Sequence, residues 1–249
     1  MDGLDGLRRE IAIGIYKSGM LLTWYRDKPS GWILMSGAWS PFYINLRPIT
    51  SFPQLYEKII DAFCIMLEKN GIDREKYKAV GIAMGGISIA NGVALKYKIP
   101  SLYTRKLPDE VKSEENINNY IASHGQHALV EGIINNGDNL ILFDDVVTSM
   151  DSKMLAINQI NYEIKKRGLN NVNVKEVYVV VDRGKGEEKA KEKGLSLHSI
   201  IKFDTFVDLL GDKLSKNERD VIRDYLSNSE KFQDKNRQKE LEELAKNKL

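Results

Sequence analysis

Cysteine is almost missing from this chain of 249 residues, which has one, Cys64. A single thiol excludes an intramolecular disulfide and any cysteine-based zinc cluster. Cys64 also sits in an apolar helical pattern that suits a buried structural thiol in a reducing interior. Excess charge of either sign is missing too: 37 basic side chains face 35 acidic ones, for a net charge of +2. That balance gives no support to a nucleic-acid binder, whose basic residues concentrate in one excess. No apolar run approaches the about 18 residues of a membrane span, and MDGLDGLRRE carries acids where a secretory leader carries an apolar stretch. A cytoplasmic protein with no membrane or nucleic-acid partner is expected. What is present is a globular composition, 42% hydrophobic and 29% charged, enough for a sizeable core. There is no internal repeat.

Apolar residues recur at helical spacing from Leu7 to Leu22, ending near Gly19, and two short extended runs joined by a turn follow between Trp32 and Arg47. A helix over 54–69 is signalled by Leu55, Ile59, Ile60, Phe63, Met66 and Leu67. Beyond it, short apolar runs at 79–83, 101–104, 140–143 and 174–181 alternate with helical patterns at 87–97 and 152–167. This alternation predicts an α/β protein with a mainly parallel central sheet flanked by helices, an N-terminal cap and a C-terminal helix. The expected parts are a helix-and-hood segment over 1–50, an α/β core over 51–212, and a helix with a charged tail over 213–249. Residues 107–123 are polar and lack a firm hydrophobic period, so that stretch is expected to be functional or disordered. Ser215-Lys216-Asn217-Glu218 reads as a capping box. Past Ser229 charge dominates, which predicts a frayed helix or disorder.

The chemistry concentrates in Ile141–Ser152, ILFDDVVTSMDS. An apolar strand that ends in two acids places consecutive carboxylates on opposite sides of the chain. Two acids at the rim of a core repel one another unless a cation or a ligand sits there. The following turn, Thr148-Ser149-Met150-Asp151-Ser152, opens a helix whose first amides and hydroxyls suit a phosphate. A structural explanation suffices for each residue alone: Asp144 as a structural acid, Ser152 as an N-cap, Thr148 as turn filler. Their joint occurrence favours a site for a phosphorylated sugar.

ILFDDVVTSMDS resembles the phosphoribosyl-diphosphate (PRPP) binding motif of the type I phosphoribosyltransferases. Four further stretches resemble the orotate branch of that family in the family's order. They are the Ser36–Tyr43 hood signature with Leu46-Arg47, the Gly81–Gly86 diphosphate loop, Arg105-Lys106 followed by His124-Gly125, and Val181-Asp182-Arg183 at a strand end. The resemblance implies transfer of a phosphoribosyl group from PRPP to orotate. It implies PRPP contacts from Gly85, Gly86, Arg105, Lys106, His124, Asp144, Asp145, Val146, Val147, Thr148, Ser149, Met150, Asp151 and Ser152. Of these, Asp144, Asp145, Lys106 and His124 would be catalytic. Orotate contacts would come from Phe42, Tyr43, Thr148 and Arg183, whose guanidinium matches a planar carboxylate. Mg²⁺ would be held mainly by PRPP near Asp144 and Asp145, with no firm direct protein ligand. A homodimer, with the basic loop reaching the neighbouring site, is implied as well. His127 and His198 receive no role.

The chain departs from the family pattern at Met150, where a small residue is usual, and at Asp151, whose carboxylate would repel a phosphate. A second loop lysine is expected soon after Arg105-Lys106, and Lys112 is the candidate. Met35 and Gly85 stand where some relatives carry lysine. Alternatives are a PRPP-binding regulatory or catalytically altered paralogue and a transferase for another base.

Overall fold

The computed structural model describes residues 3–34, 36–108, 110–111, 116–117, 119–120, 128–184 and 186–247. They divide into two units, Met1–Leu55 with Ile201–Leu249, and Tyr56–Ile200. In the first unit, helix α1 (Gly3–Lys17) buries Leu4, Ile11, Ala12 and Ile15. The helix stops short of Gly19, which takes a φ of +73°, the left-handed conformation glycine adopts without a Cβ clash. Leu21 and Leu22 therefore leave the helical pattern and enter strand β1 (Leu21–Thr23). Strands β2 (Trp32–Ile33) and β3 (Trp39–Ser40) form a small antiparallel pair, and β4 (Phe42–Ile44) pairs antiparallel with β1.

Helix α2 (Pro53–Lys69) leads into the second unit, whose elements are β5 (Tyr77–Gly81), α3 (Gly85–Tyr97), β6 (Ser101–Thr104), β7 (Val130–Glu131), β8 (Asn139–Val147), α4 (Asp151–Lys166), β9 (Asn173–Asp182), α5 (Gly186–Glu192) and β10 (Ser196–Lys202). The sheet order is β10-β9-β8-β5-β6-β7. β6, β5, β8 and β9 run parallel, and β7 adds an antiparallel edge, so the expected architecture is present. Alternation along β8 divides its side chains between two layers. Phe143 meets Phe63 of α2 edge-on at 5.5 Å, while Leu140 and Leu142 join Ala156, Ile157 and Ile160 of α4 in the main core.

Among the described residues of 107–123, Leu107, Val111 and Ile117 are buried with Leu129 in a small separate core, against Tyr120 and against Leu155 and Tyr162 of α4. One expectation needs correction: the charged tail is not frayed. After α6 (Phe203–Leu210) and α7 (Lys216–Ser227), whose Ser215/Glu218 capping box is formed, the chain closes with α8 (Lys235–Lys246). Phe232, Leu241 and Ala245 are buried, the Asp234 carboxylate caps α8, and the Trp24 indole N–H donates to the Leu241 carbonyl at 3.1 Å. A few apolar side chains among many charges anchor the tail.

Candidate active site

The carboxyl ends of β5 and β8 lie side by side because the two strands are parallel neighbours, with Gly81 opposite Phe143. Loops leaving such adjacent ends form the usual ligand crevice of a parallel sheet. Asp144 and Asp145 are consecutive on β8, and their side chains stay within hydrogen-bonding reach of one another. Asp144, on the α4 side, is 7% exposed, and its Oδ2 lies 2.7 Å from Lys153 Nζ. Lys153 is itself 2% exposed. It donates further to the Val146 carbonyl at 2.7 Å and the Ser152 hydroxyl at 3.3 Å, tying the strand end to the first turn of α4. A signal for this lysine was present, since it shares the helix face of Ala156, Ile157 and Ile160, where a cation needs a buried partner.

Asp145 lies against the start of α3. A Cβ on Gly85 would fall 2.6 Å from Asp145 Cγ, and one on Gly86 would overlap the Phe143 carbonyl oxygen. These glycines therefore permit close approach of α3 to β8. Burial first, and then the neighbouring Asp144 charge, push the Asp145 carboxyl up to about 7. The loop before α3 contains a cis peptide between Ala83 and Met84. It is steadied by the Ala83 amide donating to the buried Thr104 hydroxyl at 3.1 Å.

Beyond the acids, Val147 is buried and Thr148 exposed. Met150 is 4% exposed and belongs to the main core, so the bulky residue points inward and leaves the turn's outer face unobstructed. Met150, not Ser152, is the N-cap residue of α4. Asp151 is exposed at the first helical position and accepts from the Ser149 hydroxyl at 2.8 Å.

Arg105 and Lys106 follow β6 and are both exposed, with the Arg105 guanidinium 2.6 Å from Glu131 of β7. A polar row on α4, which sequence reading missed, braces this corner. Gln159 donates to the Arg105 carbonyl at 2.8 Å, and buried Glu163 accepts from the Leu129 amide at 2.6 Å. Arg167 then links Glu163 to the Val130 and Gly132 carbonyls. The 159, 163, 167 spacing was the available signal. Arg183 follows β9, and its amide donates to the Val147 carbonyl at 2.8 Å, so the two strand ends stay in register. His124 and Lys112 lie outside the described residues.

Phe42 and Tyr43 belong to the first unit. Phe42 is fully buried, stacked on Phe203 at 4.4 Å, so its side chain serves that core. Tyr43 is 40% exposed and stacks on Trp32. Away from the acids, burial pushes the Cys64 thiol up to about 11, which keeps it protonated and unreactive. Among the described residues no three His, Cys, Asp or Glu side chains gather to hold a metal ion, and no helix is long and apolar enough to cross a membrane. With Asp144 committed to Lys153, the donor set is sparse, which fits a hard cation that keeps most of its oxygen ligands from a phosphorylated substrate.

No family model matches the chain. Relatives do. The chain is 32% identical over 197 residues to an orotate phosphoribosyltransferase of Saccharolobus solfataricus, covering 78% of this chain and 88% of the relative. It is 31% identical to an orotate phosphoribosyltransferase of Staphylothermus marinus, covering 83% and 87%. The crystal structure of orotate phosphoribosyltransferase from Aeropyrum pernix matches with a TM-score of 0.61 and 25% identity, over 81% of this chain and 98% of that one.

Proposed function

The chain belongs to the orotate phosphoribosyltransferase family, and on that premise we propose that it transfers the phosphoribosyl group of PRPP to orotate. The products are orotidine 5′-monophosphate and diphosphate, a step of pyrimidine biosynthesis. The reaction breaks the C1–oxygen bond to the diphosphate and forms a bond from C1 to an orotate nitrogen on the opposite face, through an oxocarbenium-like transition state. One observation carries the reading: the two acids are held differently, Asp144 by Lys153 and Asp145 against the glycine start of α3. A neutralised acid beside one with an available oxygen suits ribose hydroxyls near a developing positive charge.

The remaining roles are assigned from motif and chemistry. Gly85 and Gly86 bring backbone close to the diphosphate, Arg105 and Lys106 offset its charge as it departs, and residues 146–152 hold the ribose and its 5′-phosphate. Arg183 pairs with the orotate carboxylate, with Thr148 completing orotate recognition within the second unit, and His124 donates to the leaving group. Mg²⁺ would be held mainly by PRPP, near Asp144 and Asp145, with no firm direct protein ligand. When bound, it supplies further neutralisation of diphosphate charge. No covalent protein nucleophile is needed. The working form is a cytoplasmic homodimer.

A second reading, a PRPP-binding paralogue with altered turnover, draws on the carboxylate of Asp151 in the phosphate turn. Orotate-dependent diphosphate release with Mg²⁺ and PRPP separates the two. Turnover is expected, and tight PRPP binding without turnover would leave the paralogue.

A further inference from the structure

Asp151 places a carboxylate in the turn assigned to the 5′-phosphate, and something must offset it. The Ser149 hydroxyl does not, because it is already given to Asp151, and neutral hydroxyls and amides carry no full charge to set against a carboxylate. Lys153 does not either, since its buried ammonium is divided among Asp144, the Val146 carbonyl and Ser152. Among the described residues, one other cation reaches the turn. Lys189, exposed on α5, extends its ammonium to within 3.4 Å of the Thr148 carbonyl oxygen, and among the described residues that ammonium pairs with no carboxylate.

The reach follows from how α5 is seated. Gly186 opens the helix so close to β8 that a Cβ there would lie 2.8 Å from Val147 Cγ1 and 2.7 Å from Asp182 Oδ1. The Asp182 carboxylate, 2% exposed, accepts from the amides of Gly184 and Gly186 at 3.0 and 3.2 Å, and Arg183 is tied to Val147. Lys189 comes three residues after Gly186, on the helix face turned to the same strand end. At 3.4 Å its bond to a neutral carbonyl is long and readily exchanged for a phosphate oxygen, which forms a shorter, charge-assisted bond.

We infer that Lys189 is a substrate-binding residue that anchors the 5′-phosphate of PRPP and of the nucleotide product, offsetting Asp151; this rests on the proposed transfer reaction. Ribose 5-phosphate carries that phosphate without a diphosphate, and inorganic diphosphate with Mg²⁺ is the counter-probe. By calorimetry on the full chain, Lys189→Met should weaken ribose 5-phosphate about tenfold and leave diphosphate affinity unchanged. In turnover the effect should fall on KM for PRPP more than on kcat, and Lys189→Arg should retain most of the affinity. Adding Asp151→Ser to Lys189→Met should restore much of the loss. Unchanged ribose 5-phosphate affinity in the variant, or equal losses for both probes, in a protein that still turns over, overturns the role of Lys189 alone. Wild-type protein without orotate-dependent diphosphate release overturns the parent reading and this inference with it.

Discussion

Lys153 Nζ sits 2.7 Å from Asp144 Oδ2 with both side chains shut off from water. Breaking a buried pair by removing one partner leaves a charge without compensation, at a cost of about 3–5 kcal/mol. Lys153→Met should therefore lower stability by that order in urea unfolding. The double variant with Asp144→Asn should recover most of it. Equal destabilisation of single and double variants would contradict the pairing.

Asp145 gives a pH dependence with a definite sign. Its folded carboxyl titrates at about 7, above its ordinary 3.8, so between these values the folded chain holds a proton that the unfolded chain has released. Its contribution to stability is complete below about pH 4 and is lost as pH rises through 7. In protein free of PRPP and Mg²⁺, wild type should lose stability relative to Asp145→Asn from pH 5 to pH 8. A constant difference between the two across that range would refute the assignment. In turnover, Asp145→Asn should reduce activity far more than Lys112→Ala.

The glycine start of α3 should tolerate no side chain. Gly86→Ala drives a methyl into the Phe143 carbonyl, which is backbone and cannot swing aside, so a loss of about 3 kcal/mol or more is expected in thermal or urea unfolding. Gly85→Ala instead meets the Asp145 carboxylate, a side chain that can rotate. Its damage should appear as raised KM for PRPP with a smaller change in stability.

The tail should behave as part of the first unit. Phe232 is fully buried and stacks on Trp39, while Gln233 accepts from the Trp39 amide at 2.7 Å and donates to its carbonyl at 3.2 Å. Phe232→Ala should cost about 3 kcal/mol. Truncation after Ser229 should shift tryptophan emission to the red as Trp24 and Trp39 meet water. An unchanged spectrum on truncation would refute the packing.

The layered sheet was legible because hydrophobic periodicity and chain alternation act locally. Lys153 was hidden by its residue type, since a lysine on a helix reads as surface unless its face is traced through Ala156 and Ile160. The tail was misread for a related reason. A few apolar residues, Phe232, Leu241 and Ala245, anchor a segment whose average composition is polar, and a window average dilutes them. β7 is two residues long and is defined by pairing with β6, which no local pattern announces.

The bond from the Trp24 indole to the Leu241 carbonyl joins residues 217 positions apart, and it orders events during synthesis. Residues 56–200, which complete one unit, are all made before Leu241 exists. The Trp24 indole N–H must therefore wait through the translation of that unit without this partner, and the first unit is completed only after the second has had its chance to fold. The hood segment that carries Trp24 is made before residues 56–200 and gains this partner after them.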